Sequence, residues 1–118
     1  MKKLFLVLSA LFFIAAPITA FAESPLSLSA DVMAEAQQHN QEGISHYNKG
    51  HFDVAVKHFE ASEEIQRTGE AYFNAGLAYY KMGKHGKAKM HLNEAKTLAN
   101  GNSQILNSEV MKSFLKKH

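Results

Sequence analysis

Two stretches of the chain, EGISHYNKGHFDVAVKHFEAS and NAGLAYYKMGKHGKAKMHLNEA, superpose at an offset of thirty-three residues. Gly43 aligns with Gly76, Tyr47 with Tyr80, Gly50 with Gly83, Ala55 with Ala88, Phe59 with Leu92 and Ser62 with Ala95. A repeat of this period constrains the fold more than composition does. Each unit is one supersecondary element that buries its apolar face only against its neighbours. Within each copy the apolar residues recur at the three- and four-residue spacing of a helix, and no segment shows sustained strand alternation. The fold class is therefore all-α.

Five helices are predicted. The first begins at an N-cap on Ser27 or Ser29 and runs to about Asn48, where the glycine of NKGHF suits a left-handed helix end. The second covers Asp53 to Gln66, with Ala55, Val56, Phe59, Ser62 and Ile65 as its buried stripe. Thr68 caps a third, Gly69 to Met82, and Gly83 ends it. A fourth spans about His85 to Ala99, with Ala88, Leu92, Ala95 and Leu98 inward. After the turn ANGNS, Ser103 caps a fifth helix to about Lys117. Its apolar face is Ile105, Leu106, Val110, Met111, Phe114 and Leu115.

The start of the chain reads differently. Lys2 and Lys3 precede the apolar run Leu4 to Ala16, and small residues follow at Ala20 and Ala22. This is the pattern of a secretory signal peptide over 1–22, cleaved after Ala22, and no stable membrane insertion is expected afterwards. The short double-lysine start points to a bacterial envelope protein, periplasmic or secreted. Residues 23–29, ESPLSLS, read as a flexible leader. The chain has no cysteine, which removes disulfides, thiolate chemistry and a cysteine-linked lipid anchor, and fits an oxidising compartment.

Without Lys2 and Lys3, eleven basic side chains face eleven acidic ones. The acids gather early and the lysines late, a polarity that most simply makes a solvated surface. Near-zero net charge and secretion argue against nucleic-acid binding. Catalysis is not indicated: there is no G-x-S-x-G, no H-E-x-x-H and no phosphate loop. Glu63 and Glu64 are adjacent, so they diverge on a helix. No cofactor is expected.

The second copy, with Tyr72, Ala75, Gly76 and Tyr79 and then Ala88, Leu92 and Ala95, resembles the tetratricopeptide repeat family. The first copy follows it through Gly50, Phe52, Ala55 and Phe59. It departs at His39, Glu42 and His46, and Asn100 stands where a turn proline is usual. The resemblance implies tandem antiparallel helix pairs over 30–102, with 103–118 as a C-terminal capping helix. It implies close backbone approach at Gly43, Gly76, Ala55 and Ala88, with Phe59, Leu92, Tyr72, Tyr79 and Ala95 packed around them. It also implies a concave groove for a peptide or partner helix, lined by Asn40, Ile44, Tyr47, Asn48, Phe73, Leu77, Tyr80 and Lys81. The variant that clamps a C-terminal carboxylate does not fit, since Ile44 replaces an asparagine and Gln104 and Ser108 replace basic residues.

The expected function is a non-enzymatic periplasmic adaptor or scaffold that holds a peptide or helix of an envelope protein. Two alternatives come from other classes. The wide stripe of the fifth helix would allow a self-associating structural subunit, a homodimer through that helix. The seven histidines, His39, His46, His51, His58, His85, His91 and His118, would allow a periplasmic metal-binding protein. Their spacings of six and seven along the chain do not match the i, i+4 spacing of ligands on one helix. His58 and His91, at equivalent positions of neighbouring helices, are the weak metal candidates, and no metal site is assigned.

Overall fold

The computed structural model describes residues 23–115. The signal-peptide reading of 1–22 and the last residues of the predicted fifth helix fall outside them. Among the described residues all regular structure is helical: α1 (Ala34–Asn48), α2 (Phe52–Ile65), α3 (Gly69–Lys81), α4 (His85–Thr97), α5 (Ser103–Leu106) and α6 (Glu109–Leu115). The hairpins α1–α2 and α3–α4 are the two main packing units. Helix α2 packs on α3, and the short α5 and α6 close over α3 and α4.

The two hairpins end their first helices in the same way. Gly50 has φ +83° and Gly83 has φ +76°, the left-handed conformation that glycine adopts without a Cβ penalty. Around Gly50, its own N–H donates to the Tyr47 carbonyl and the His51 N–H to the His46 carbonyl, both at 2.9 Å. Gly83 and Lys84 make the matching bonds to Tyr80 and Tyr79 at 2.9 Å. Each pair satisfies carbonyls that a helix end would leave open. The Ala71 N–H donates to Thr68 Oγ1 at 3.1 Å, so Thr68 caps α3 as the sequence predicts.

The core is built from small residues set against large ones. Ala55, Phe59, Ala75, Ala78, Ala88, Leu92 and Ala95 have no measurable exposure. A Cβ on Gly43 would stand 2.5 Å from Phe59 Cε1, and one on Gly76 would stand 2.7 Å from Leu92 Cδ2. The aligned glycines thus face the aligned large residues of the second helix in each hairpin. A third contact was not read from the repeat: a Cβ on Gly69 would meet the Leu98 carbonyl oxygen at 2.7 Å.

This geometry separates two glycine-to-alanine changes that intrinsic propensity would treat alike. Gly43→Ala drives the fully buried Phe59 ring out of place, an overpacking cost of about 1–3 kcal/mol. The helical gain of up to about 1 kcal/mol offsets it only in part. Gly86, within α4, has no atom within 4 Å of its missing Cβ, and Gly86→Ala gains about 0.5–1 kcal/mol. Thermal melts should move in opposite directions for the two variants.

Two predicted helices differ from those observed. Helix α1 starts at Ala34, and Ser29 serves a turn instead of a cap: its hydroxyl donates to Asp31 Oδ1 at 2.5 Å, and the Val32 N–H donates to the Ser29 carbonyl at 3.1 Å. The Met33 N–H is met by Gln66 Oε1 at 2.9 Å, so the helix end needs no hydroxyl cap. The fifth helix is broken in two at Asn107 and Ser108. Asn102, not Ser103, caps α5, with its Oδ1 accepting the Gln104 N–H at 2.8 Å. Helix α6 then begins afresh because its first amides find outside acceptors. The Met111 N–H donates to Ser108 Oγ at 3.0 Å, and the Glu109 N–H donates to the Glu23 carboxylate at 2.6 Å.

Candidate functional site

Residues 23–29 have no regular secondary structure but are anchored at several points, contrary to the expected flexible leader. The Leu26 N–H donates to Asn74 Oδ1 at 2.7 Å, and Asn74 Nδ2 donates back to the Leu26 carbonyl at 2.8 Å. Asn40 Nδ2 donates to the same carbonyl at 2.9 Å, and Asn74 Nδ2 also donates to Asn40 Oδ1 at 2.8 Å. Asn40 and Asn74 are completely buried, so this network lies away from water. A buried amide pair costs little only when its members are satisfied, and here both are bonded to each other and to the leader's main chain.

Side chains of the leader alternate. Leu26 packs on the main core and Leu28 is buried against Ala36 and Ala71, whereas Ser27 and Ser29 are exposed. The Ser27 hydroxyl accepts from Gln41 Nε2 at 3.1 Å. Glu23 fixes the other end: the Ser108 hydroxyl donates to Glu23 Oε1 at 2.6 Å, and Glu23 Oε2 accepts from the Glu109 and Val110 N–H groups. A carboxylate there complements the positive end of α6.

The predicted groove residues fall into two sets. Asn40, Tyr47, Phe73 and Leu77 are buried, and Leu26 sits among the apolar ones in a single core cluster. Burial, together with the nearby charge of Glu23 and the Tyr80 phenol, pushes the Tyr47 hydroxyl up to about 12. Ile44 and Tyr80 are half-buried, and Asn48 and Lys81 are exposed. The Tyr80 ring stands edge-on to Phe114 at 5.6 Å and to His85 at 5.8 Å, so α6 covers part of the face.

The residues assigned to repeat packing, Gly43, Ala55, Phe59, Gly76, Tyr79, Ala88, Leu92 and Ala95, are all buried. Tyr72 is half-buried beneath the Arg67 guanidinium, 5.5 Å from its ring centre. The wide stripe of the predicted fifth helix is largely used within the chain. Ile105, Val110 and Met111 are buried and Leu106 is exposed.

Among the described residues His39, His46, His51 and His58 lie together, contrary to the scatter their spacing implied. His91 lies 3.5 Å from Glu60 Oε2 and 3.8 Å from Glu63 Oε2, while His58 faces Glu42 at 3.2 Å and stacks on His46. The two weak metal candidates therefore belong to different clusters.

Three residues of the leader site, Leu26, Leu28 and Asn74, were missed in the sequence. The alternation Leu26-Ser27-Leu28-Ser29 is a two-residue period that marks one inward side. Asn74, a lone amide within the apolar run AYFNAGLAYY, was the second signal.

The family model of the tetratricopeptide repeat matches residues 69–102, which hold α3, α4 and the turn into α5. This second hairpin is thus similar to the tetratricopeptide repeat, a class of protein-interaction modules. The first hairpin repeats the same glycine contacts and helix ends outside the matched residues. No curated protein matches the chain. Among the described residues no helix is long and apolar enough to cross a membrane.

Proposed function

We propose that this protein is a non-enzymatic periplasmic adaptor whose concave face receives a non-helical segment of an envelope protein. One observation carries the proposal: buried Asn40 and Asn74 hold both main-chain polar groups of Leu26. Such contacts recognise backbone and are indifferent to sequence, while the positions of Leu26 and Leu28 would set a preference for a Leu-x-Leu pattern. The leader is the resident occupant, and a partner segment takes its place. Processing after Ala22 would make Glu23 the first residue of the exported chain.

The test weakens the leader and leaves the receiving residues untouched. In a Leu26→Asp, Leu28→Asp variant the tethered segment loses its apolar anchors. A labelled ESPLSLS peptide should bind this variant at least about tenfold more tightly than the parent, whose own leader competes at high effective concentration. Adding Asn74→Ala should abolish the gain. Equal binding to parent and variant, with both folded by circular dichroism, would remove the assignment. Cross-linking of the leader-weakened chain in an envelope extract would then identify the partner.

A further inference from the structure

The first hairpin brings four imidazoles into one row. His39 and His46 stand seven residues apart on α1, and His51 and His58 stand seven apart at the start and middle of α2. Seven residues is two turns, about 10 Å along one helix, too far for one ion. The antiparallel partner fills the gap. Ring centres run His39 to His58 at 5.7 Å, His58 to His46 at 5.4 Å, and His46 to His51 at 5.7 Å. His58 and His46 are nearly parallel, 4° apart in plane.

Glu42 projects into this row. Its Oε1 lies 3.2 Å from His58 Nδ1 and 3.7 Å from His39 Nδ1. One ligand atom from each of His39, Glu42 and His58 lies within 4.8 Å of the other two. A tetrahedral zinc with bonds of about 2.0–2.2 Å sets its donors roughly 3.3–3.5 Å apart. The His58–Glu42 pair is already near that spacing, and small side-chain rotations bring in His39. His39 Nδ1 is shielded from solvent and makes no hydrogen bond; its contact with Glu42 is longer than one. A cation bound here would give that nitrogen a partner.

We propose that His39, Glu42 and His58 form a binding site for a divalent late transition-metal ion, with zinc and copper(II) as the fitting class. Two imidazoles and one carboxylate, with no thiolate in the chain, suit these borderline ions. Calcium and magnesium require a larger all-oxygen set that the site does not offer. Three protein ligands leave a fourth position open to water or to a donor from another molecule. His46 is a positioning residue: its ring lies flat against His58. Ligands from both helices would make the ion a clip between α1 and α2.

The test uses the tag-free chain in a non-chelating buffer near neutral pH. Calorimetry with zinc chloride and copper(II) sulfate should show one equivalent bound at micromolar Kd or tighter, about the range of a three-ligand protein site. Saturating zinc should raise the melting temperature by about 5–10 °C, since the ion binds only the folded pair of helices. His39→Ala and His58→Ala should each weaken binding at least tenfold, and His91→Ala should leave it unchanged. Copper(II) electron paramagnetic resonance of the unaltered chain reads the donors directly and should show two imidazole nitrogens. Binding weaker than about millimolar would overturn the proposal. So would binding that survives both His39→Ala and His58→Ala, or a copper spectrum without imidazole nitrogen.

Discussion

Replacing Asn74 with alanine will lower stability by about 2–4 kcal/mol and release the leader. The amide of Asn74 accepts from the Leu26 N–H and donates to both the Leu26 carbonyl and Asn40 Oδ1. The Leu26 carbonyl keeps Asn40 Nδ2 as a donor, at 2.9 Å. The Leu26 N–H and the buried Asn40 Oδ1 keep no partner, and each orphaned group costs about 1–3 kcal/mol. Hydrogen exchange is the sharper readout. The Leu26 amide, protected in the parent, should exchange like an open chain in the variant, and a protease should cut the leader first. Gln41→Ala, which removes only the exposed contact to Ser27 Oγ, should change stability by less than about 0.5 kcal/mol. An unchanged melting temperature in Asn74→Ala, with the Leu26 amide still protected, would separate the leader from the asparagine pair.

This result bears on how a repeat protein with two hairpins stays folded. Stacked repeats need neighbours or caps at their ends. Here α5 and α6 cover part of the second hairpin, and Glu23 binds the start of α6. The leader therefore joins the residues ahead of α1 to the last described helix, along the face that the proposed partner would occupy. Displacing it removes an apolar occupant from the core and a carboxylate from the α6 terminus together. Under the proposed function, a partner segment with a Leu-x-Leu pattern would replace the first contribution, and one carrying an acid three residues before its first leucine would replace both.

The hairpins were legible in the sequence because each helix carries its own period and its own punctuation. Gly50 and Gly83 announce left-handed helix ends, Thr68 announces a cap, and paired glycines face paired large residues. What was not legible depends on contacts between segments distant in the chain. Asn40 and Asn74 look like surface amides until a backbone arrives between them, 14 and 48 residues away in sequence. The fifth helix carries an unbroken apolar stripe, yet Glu23, 86 residues before Glu109, supplies the acceptor that lets a new helix begin. The histidines show the same limit. Spacing measured along one helix excludes a shared ion, and the antiparallel partner interleaves a second pair into the gaps. Phe73, assigned to the groove, lies where the leader and α5 meet, and Leu77 is buried in the same core cluster.

Glu63 gives the fold a pH dependence opposite to that of a salt-bridged carboxylate. It is 7 % exposed, and its Oε2 has no hydrogen-bond partner. Burial, reinforced by the neighbouring Glu60 and opposed by Arg67, raises its carboxyl to about 8 from 4.5. His91 Nε2 faces both Glu60 and Glu63 from α4, while its Nδ1 lies 3.1 Å from the Lys87 carbonyl. Between pH 4.5 and about 8 the folded chain keeps a proton that the unfolded chain has released. The folded state then binds more protons than the unfolded one, so stability falls as pH rises through that window. Below 4.5 both states hold the proton and the penalty is absent; above about 8 it is complete. At about 1.4 kcal/mol per unit, the loss across the window is on the order of 5 kcal/mol. Glu63→Gln keeps the shape of the protonated acid and removes the titration. Its melting temperature should match the parent near pH 4.5 and exceed it by about 20 °C or more at pH 8.5. Parallel pH profiles for the two proteins would mean that Glu63 ionises in the fold as easily as in the open chain.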